Sequence, residues 1–363
     1  MGVYKQIVVH YICRNVQVGH MIGLEADAGR KSRPRRILTV DGGGLKGAMP
    51  AAFIAEIEAV SGQRIVDNFD LIAGTSTGGI IALGLAAGLS GAEILDFYLT
   101  RGPRIFDQEP GEGVFAAMVA TLRRAWRSMR QLRTSKYDAD ALRAELGVVF
   151  GDRRIGDALT RIVIPAYDSA NGGLYVFKTA HHERLAVDWR VPMLDAALAT
   201  AAAPTYLPAH SFYGAAHLLD GGVWANNPMG VAALEGATVL GWDMREARLL
   251  SLGCTSSITP ARRVVGFRDV KWLIQTLFDG QDRLSHATAK LLLGHPHTNP
   301  HLIRVCPEVP AGHYALDDAR RLEELVRMGR SNARALMPRI NECFLLGGRE
   351  PFVPCHPAKV QET

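Results

Sequence analysis

Residues 36–47 read Arg36-Ile37-Leu38-Thr39-Val40-Asp41-Gly42-Gly43-Gly44-Leu45-Lys46-Gly47, and this stretch decides the fold class. Its first half is apolar and β-branched, which is typical of a buried parallel strand. Its second half is a glycine loop, and a helical pattern follows over residues 48–60. Strand, glycine loop and helix in this order predict the first unit of a parallel α/β sheet.

The same order repeats at once, this time with a serine in the turn. Residues 69–73 predict a strand, residues 74–79 read Gly-Thr-Ser-Thr-Gly-Gly, and residues 80–89 predict a helix of small side chains. Gly74, Ser76 and Gly78 form the G-x-S-x-G pattern of a nucleophile elbow, a strained strand-to-helix turn that exposes the serine hydroxyl. The amino end of the following helix favours a developing anion. Ser76 is therefore the candidate nucleophile.

The first glycine loop is the candidate oxyanion hole. Acyl transfer needs hydrogen-bond donors aimed at a tetrahedral oxyanion, and glycine backbone supplies them because no side chain blocks the approach. The amides of Gly42, Gly43 and Gly44 would serve, and Lys46 adds a positive charge in the same loop.

A different class of function fits the same loop. Residues 42–47 also satisfy the G-x-G-x-x-G dinucleotide fingerprint, and Asp67 lies near the spacing of a ribose-binding acid. However, Asp41 would repel a pyrophosphate, and Asp67 lies too close to the next strand to end a strand of its own. A nucleotide-binding signalling or dehydrogenase-type module stays as the alternative function.

Asp220 is the candidate general base. It ends the apolar run His217-Leu218-Leu219 and precedes Gly221-Gly222, as expected of a carboxylate at a strand end. A semi-buried carboxylate with a raised pKa can accept the serine proton directly. The histidines that follow it lie in segments without a visible strand-end position, so a triad is not favoured. We interpret His210 and His217 as structural.

The loop, the elbow and the Asp-Gly-Gly motif in this order resemble the patatin-like phospholipase family of lipid acyl hydrolases over residues 35–255. Softer matches lie at residues 203–206 and 225–228. The resemblance implies a three-layer α/β/α fold with a mostly parallel central sheet. It also implies a Ser76–Asp220 dyad without histidine, an oxyanion hole in the glycine loop, and hydrolysis of a phospholipid or lysophospholipid ester without metal or other cofactor. Lys46 stands where the family usually has arginine, which keeps the charge but not the planar fork.

Partners follow from the same resemblance. Bacterial members of this kind include anti-phage effectors that a cyclic nucleotide switches on and that then degrade membrane phospholipid. The expected partners are therefore a phospholipid membrane surface and a cyclic-nucleotide activator. The activator would bind at the basic residues 123–136 or within the last hundred residues. The net charge of +5 is modest, so no nucleic-acid polymer is expected. The oligomeric state stays unknown at this level.

The remaining sequence sets the expected organisation and location. A content of 48% hydrophobic and 21% charged residues excludes intrinsic disorder. We expect an extension over residues 1–34, a catalytic domain over 35–255, and a mostly helical elaboration of the same domain over 256–363, with helices over residues 270–278 and 315–327. No apolar run approaches the roughly 20 residues of a spanning helix, and the five cysteines form no CxxC pair. These features favour a cytoplasmic protein that is peripheral to the inner face of the membrane when active.

One further stretch, Val114 to Arg133, has apolar residues at helical spacing with arginines largely off that stripe. It is either a helix that contacts an anionic bilayer or a lid helix packed on the core with a solvated basic face. The candidate residues are Arg123, Arg124, Trp126, Arg127 and Arg130.

Overall fold

The computed structural model describes residues 33–106, 137, 139–212, 216–257, 270–294, 300–310 and 312–356. The strands are β1 Arg36–Val40, β2 Leu71–Gly74, β3 Arg161–Asp168, β4 Gly173–Lys178, β5 His210–Phe212, β6 Ala216–Asp220, β7 Arg248–Leu252, β8 Ser256–Ser257, β9 Leu302–Val305 and β10 Glu308–Val309. The α-helices are α1 Ala48–Ser61, α2 Thr77–Ala86, α3 Gly91–Asp96, α4 Gly102–Phe106, α5 Ala139–Phe150, α6 Met193–Thr200, α7 Gly222–Ala225, α8 Met229–Thr238, α9 Val270–Leu293 and α10 Leu322–Ile340.

The central sheet is mostly parallel, as the sequence predicted. Within the described ranges its strand order is β5-β6-β3-β2-β1-β7-β9, and β4 pairs with β3 outside this path. The central strands β3, β2, β1, β7 and β9 run parallel to their neighbours in this order. The strands β4, β5 and β6 pair antiparallel at the other end of the sheet. The small pair β8 and β10 forms a separate parallel ladder.

Helices cover both faces of this sheet, because alternate side chains of each central strand point to opposite sides. Ile37 and Leu71 are buried with residues of α8 and α9 on one face. Leu38 and Ile72 are buried with residues of α1, α2 and α10 on the other face. The predicted three-layer α/β/α architecture is confirmed.

Strand register brings the candidate site residues to one level of the sheet. Ala73 of β2 lies opposite Val163 of β3, and three residues further along β3, Ala166 lies opposite Asp220 of β6. The turn that follows β2 and the end of β6 therefore flank the same part of β3. This register places the Ser76 turn and Asp220 on the two sides of β3, at nearly the same level.

The C-terminal helices differ from their predicted bounds. The helix predicted over residues 270–278 continues to Leu293, since one internal glycine, Gly280, costs only about 1 kcal/mol. The helix predicted over residues 315–327 begins instead at Leu322, because Asp318 caps a preceding turn by accepting a bond from the Arg320 amide. Strand β9, which no sequence pattern indicated, pairs with β7.

The domain bounds proposed from the sequence stay predictions. The stretch Val114 to Arg133, with its candidates Arg123, Arg124, Trp126, Arg127 and Arg130, lies outside the described residues, as do residues 1–32. Along the part of the chain that is described, no helix combines the length and the apolar character needed to cross a bilayer.

Candidate active site

Ser76 lies in a strained turn between β2 and α2. Its backbone has φ 57° and ψ −124°, a conformation that costs a non-glycine residue of order 1–3 kcal/mol. The flanking glycines are needed because the backbone passes close to itself: a Cβ on Gly74 would overlap the carbonyl of Gly78, and one on Gly78 would overlap the carbonyl of Val40. The turn thus has the backbone geometry of a nucleophile elbow.

Threonines from neighbouring segments hold this turn. The Ser76 amide donates to Oγ1 of Thr200 at 3.0 Å, and that hydroxyl donates to the carbonyl of Pro165 at 2.6 Å. Thr75 donates through Oγ1 to the carbonyl of Ala225 at 2.6 Å. Both threonines are fully buried, so these bonds are shielded from water and help to maintain the strained backbone.

Asp220 lies against Ser76 in a buried environment. Its side chain lies close enough to the Ser76 hydroxyl for that hydroxyl to lower its pKa, and Oδ1 accepts a bond from the Gly222 amide at 2.7 Å. Burial raises the pKa of Asp220 to about 6, while the bonds from Ser76 and Gly222 partly oppose this rise. A carboxylate of this kind is mostly ionised at neutral pH and is a stronger base than an exposed aspartate.

The glycine loop begins beside Ser76. A Cβ on Gly42 would lie 3.1 Å from the Ser76 Cβ, which shows how closely the two segments approach. The Gly42 amide, however, donates to the carbonyl of Asn226 at 3.0 Å. It is therefore occupied in holding the loop and is not free to meet an oxyanion.

The next two amides of the loop remain available. Leu45 donates to the Leu316 carbonyl at 2.7 Å and Lys46 donates to the Gly43 carbonyl at 3.2 Å, whereas the amides of Gly43 and Gly44 have no acceptor among the described residues. Gly44 has φ 58°, and a Cβ there would overlap the carbonyl of Leu316, so glycine is required. Gly43 and Gly44 are therefore the candidate oxyanion donors.

Charged groups surround the start of the loop. Burial raises the pKa of Asp41, and the opposing influence comes first from its ion pair with Arg304 and to a smaller extent from Lys46. Lys46 is half-buried within the loop. Sequence reasoning found Lys46 but missed Arg304, because 263 residues separate Arg304 from Asp41 and no local pattern marks such a pair.

The two histidines that closely precede Asp220 in the sequence have other partners. Nε2 of His210 lies 3.1 Å from Oδ1 of Asp195, and Nδ1 of His217 lies 3.5 Å from Oγ of Ser211. Ser76 and Asp220, by contrast, are brought together with the glycine loop. Of the remaining predicted positions, Gly74 and Gly78 lie in the elbow, as described above.

Comparisons with known proteins identify the family. The model of the family described as patatin-like phospholipase matches residues 38–233, from β1 into α8. A cGAMP-activated phospholipase of Vibrio cholerae is 34% identical over 223 residues, which are 59% of this chain and 61% of that protein. A protein of the same name from Pseudomonas aeruginosa is 37% identical over 193 residues, covering 53% of this chain and 54% of its own length.

The chain thus spans less than two thirds of the length of these two relatives. A longer match is patatin-like protein 1 of Oryza sativa subsp. indica, 30% identical over 364 residues that cover 88% of this chain and 85% of that protein. The family match includes the glycine loop, the Ser76 elbow and Asp220. The chain belongs to the patatin-like phospholipase family.

Proposed function

We propose that this protein is a lipid acyl hydrolase of the phospholipase A or lysophospholipase type that uses Ser76 as nucleophile and Asp220 as general base. The observation that carries the proposal is the buried Asp220 carboxylate beside the Ser76 hydroxyl at the elbow. Family membership supports the lipid ester as substrate.

The chemistry proceeds in two halves. In the first, the Ser76 oxygen forms a bond to the ester carbonyl carbon as its proton passes to Asp220, and the oxyanion accepts bonds from the Gly43 and Gly44 amides. Collapse of this tetrahedral intermediate breaks the bond between the carbonyl carbon and the alcohol oxygen, and the alcohol leaves with the proton from Asp220. In the second half, water loses a proton to Asp220 and attacks the acyl-enzyme, and the fatty acid departs as Ser76 recovers its proton.

A fluorogenic fatty-acyl ester assay tests this reaction. We expect Ser76→Ala and Asp220→Asn to lose activity by at least about a thousandfold, with a chelator leaving the wild-type rate unchanged. His210→Ala and His217→Ala are the matched controls and should each cost less than about tenfold, since neither relays the proton. A loss at either histidine as large as that of Ser76→Ala would instead indicate a triad. Cofactor-dependent turnover that survives Ser76→Ala would favour the nucleotide-binding alternative of the Gly42–Gly47 loop.

A cyclic nucleotide is proposed as the activator, in the context of anti-phage defence. The support is the identity of 34% and 37% with two proteins named cGAMP-activated phospholipase. Adding cGAMP to the purified protein with phospholipid vesicles should raise the release of fatty acid, and linear adenosine monophosphate should not. An unchanged rate with cGAMP would contradict this part of the proposal.

A phospholipid membrane surface on the cytoplasmic side is proposed as the place of action. Its first support is the outer face of α9, where exposed leucines recur at helical spacing. These leucines are Leu273, Leu277, Leu284 and Leu291. The inner face of the same helix contacts the site region, since Asp282 accepts a bond from Asn227 at 2.8 Å. The arginines of residues 114–133 are proposed to add attraction to anionic lipid.

A further inference from the structure

An ion pair between Asp41 and Arg304, called here the clamp, holds the residue that directly precedes the glycine loop. Both oxygens of Asp41 accept bonds from the guanidinium of Arg304, at 2.9 Å from Nη1 and 2.6 Å from Nη2. The arginine side chain is only 12% exposed and that of Asp41 only 6%. A bidentate pair in such surroundings fixes the orientation of both partners, and not merely their distance.

The same arginine is also linked to the segment that follows Asp220. Nη2 of Arg304 also donates to Oδ1 of Asp282 at 2.7 Å, and the same oxygen accepts from Nδ2 of Asn227 at 2.8 Å. Asn226, the residue before Asn227, accepts the Gly42 amide through its carbonyl. A closed circuit thus joins the glycine loop, β9, α9 and the segment that follows Asp220.

We propose that Arg304 is a positioning residue that sets the direction of the Gly43 and Gly44 amides through its fork on Asp41. This inference rests on the proposed function. Among the described residues Arg304 makes no hydrogen bond with Ser76 or Asp220, and its shortest route to the oxyanion donors is the loop that follows Asp41. Residue 304 lies beyond the matched family region of 38–233, so this contribution comes from the C-terminal part of the chain.

Without the bidentate bond from Arg304 to Asp41, the glycine loop would lose the contact that orients its first turn. Two of its amides donate outside the loop, from Gly42 to Asn226 and from Leu45 to Leu316. The Lys46 amide donates only within the loop, to the Gly43 carbonyl, so the direction of the turn depends on Asp41 at its start. A buried carboxylate without its counter-charge would take up a proton or turn toward another donor. A displacement of about 1 Å at an oxyanion donor can cost about a hundredfold in rate.

The test compares Arg304→Met and Arg304→Lys with a matched control, Arg248→Met. Arg248 is an arginine at the start of the neighbouring strand β7, and its guanidinium donates to the Glu342 and Cys343 carbonyls, away from the loop. The concentration of folded active sites is measured by letting Ser76 react to completion with a fluorophosphonate. The rate of ester hydrolysis is then divided by this concentration, which gives kcat per reactive site. For Arg304→Met we expect kcat per reactive site to fall at least about tenfold with little change in KM.

Arg304→Lys keeps the charge without the fork and should fall between Arg304→Met and the wild type. Arg248→Met should keep its kcat per reactive site. An Arg304→Met enzyme with wild-type kcat per reactive site, or one in which only KM rises, would overturn the inference. If that variant does not fold, Asp282→Asn decides in its place, because its carboxylate is 43% exposed and the change is conservative. We expect a loss of about threefold in kcat from it, and no loss would overturn the inference.

Hydrogen exchange gives a readout that needs no turnover. The measurement is made on the peptide that contains Gly42–Gly47, in Arg304→Met or, if that variant does not fold, in Asp282→Asn. Faster exchange than in the wild type supports the clamp, and unchanged exchange overturns it. If the wild type shows no Ser76-dependent hydrolysis, the proposed function fails, and the exchange measurement still decides the clamp.

Discussion

At the scale of single residues, Asp220 controls the pH dependence of the proposed reaction. Its pKa is raised to about 6 by burial, and only the ionised form can accept the Ser76 proton. We therefore expect kcat/KM on a soluble ester to fall as the pH drops through about 6, tenfold per pH unit below it, and to level off above it. A profile of kcat/KM between pH 4.5 and 8 measures this, and an inflection near 4 would contradict the assignment.

The same carboxylate should lower the stability of the fold. The pKa of Asp220 is 3.8 in its ordinary state and about 6 in the folded protein, so between these values the folded state holds a proton that the unfolded chain has released. Wild-type stability therefore falls as pH rises through this window, and above it the ionised group costs the folded state on the order of 3 kcal/mol.

Asp220→Asn removes that cost while keeping an acceptor for the Gly222 amide. We expect the inactive variant to unfold at a higher temperature than wild type at pH 7.5, with the difference shrinking toward zero near pH 4. Thermal unfolding of both proteins across this range measures it. A difference that is constant with pH would show that the charge of Asp220 is not its cause.

The candidate nucleophile and candidate base could be picked out from the sequence because their signals are local. Ser76 lies between glycines that only a tight turn requires, and Asp220 lies between an apolar run and two glycines. Thr200 and Arg304 carry no comparable signal. Thr200 ends a helix 124 residues after Ser76, and its role appears only when β3 brings Pro165 beside it. Similarly, nothing in the sequence indicates that the Gly42 amide is already bonded to Asn226.

At the scale of elements, the elbow depends on the end of α6. Thr200→Val keeps the shape of the side chain but removes the acceptor of the Ser76 amide and the donor to Pro165. Leaving such buried groups unpaired costs about 1–3 kcal/mol, and the strained turn should shift as a result. We expect a lower melting temperature together with a loss of about tenfold in kcat.

Thr200→Ser is the control for this change, because it keeps the hydroxyl and removes one methyl group. It should retain most of the activity and of the stability. Equal loss in both variants, measured by ester hydrolysis and thermal unfolding, would assign the effect to packing and not to the bond with Ser76.

The elements themselves were predictable to different degrees. Strands β1 and β2 have continuous apolar runs before a glycine turn, and both were predicted to within about two residues. Strand β9 is short and alternates in burial, so its sequence Leu302-Ile303-Arg304-Val305 gave no strong signal. Helix α10 was placed too early because the capped turn before Leu322 has helical composition without being α-helix.

At the scale of the whole molecule, hydrogen bonds join the family-matched part of the chain to the C-terminal part within the described residues. The matched family region ends at residue 233, yet the glycine loop is also held by the Leu316 carbonyl and by Arg304. Asp282 and Ser285 of α9 hold the segment after Asp220 through bonds to Asn227. A movement of α9 would therefore be transmitted to both the loop and this segment.

The outer face of α9 gives the last prediction, which concerns the membrane. Leu277 is 60% exposed and Leu284 is 69% exposed, and they lie on one stripe of a helix whose inner face contacts the site region. Burying each leucine in the lipid interface would contribute about 1.5–3 kcal/mol, and an aspartate there would be repelled by anionic lipid. We expect Leu277→Asp/Leu284→Asp to reduce both binding to and hydrolysis of anionic phospholipid vesicles by at least about tenfold, with the soluble ester hydrolysed normally.

Val148→Asp, at a 69% exposed apolar position of α5, is the matched control and should bind vesicles as wild type does. Unchanged vesicle binding by the double variant would remove α9 from the membrane contact, and conversion of a wild-type dimer to a monomer in light scattering would assign the stripe to a second copy of the chain.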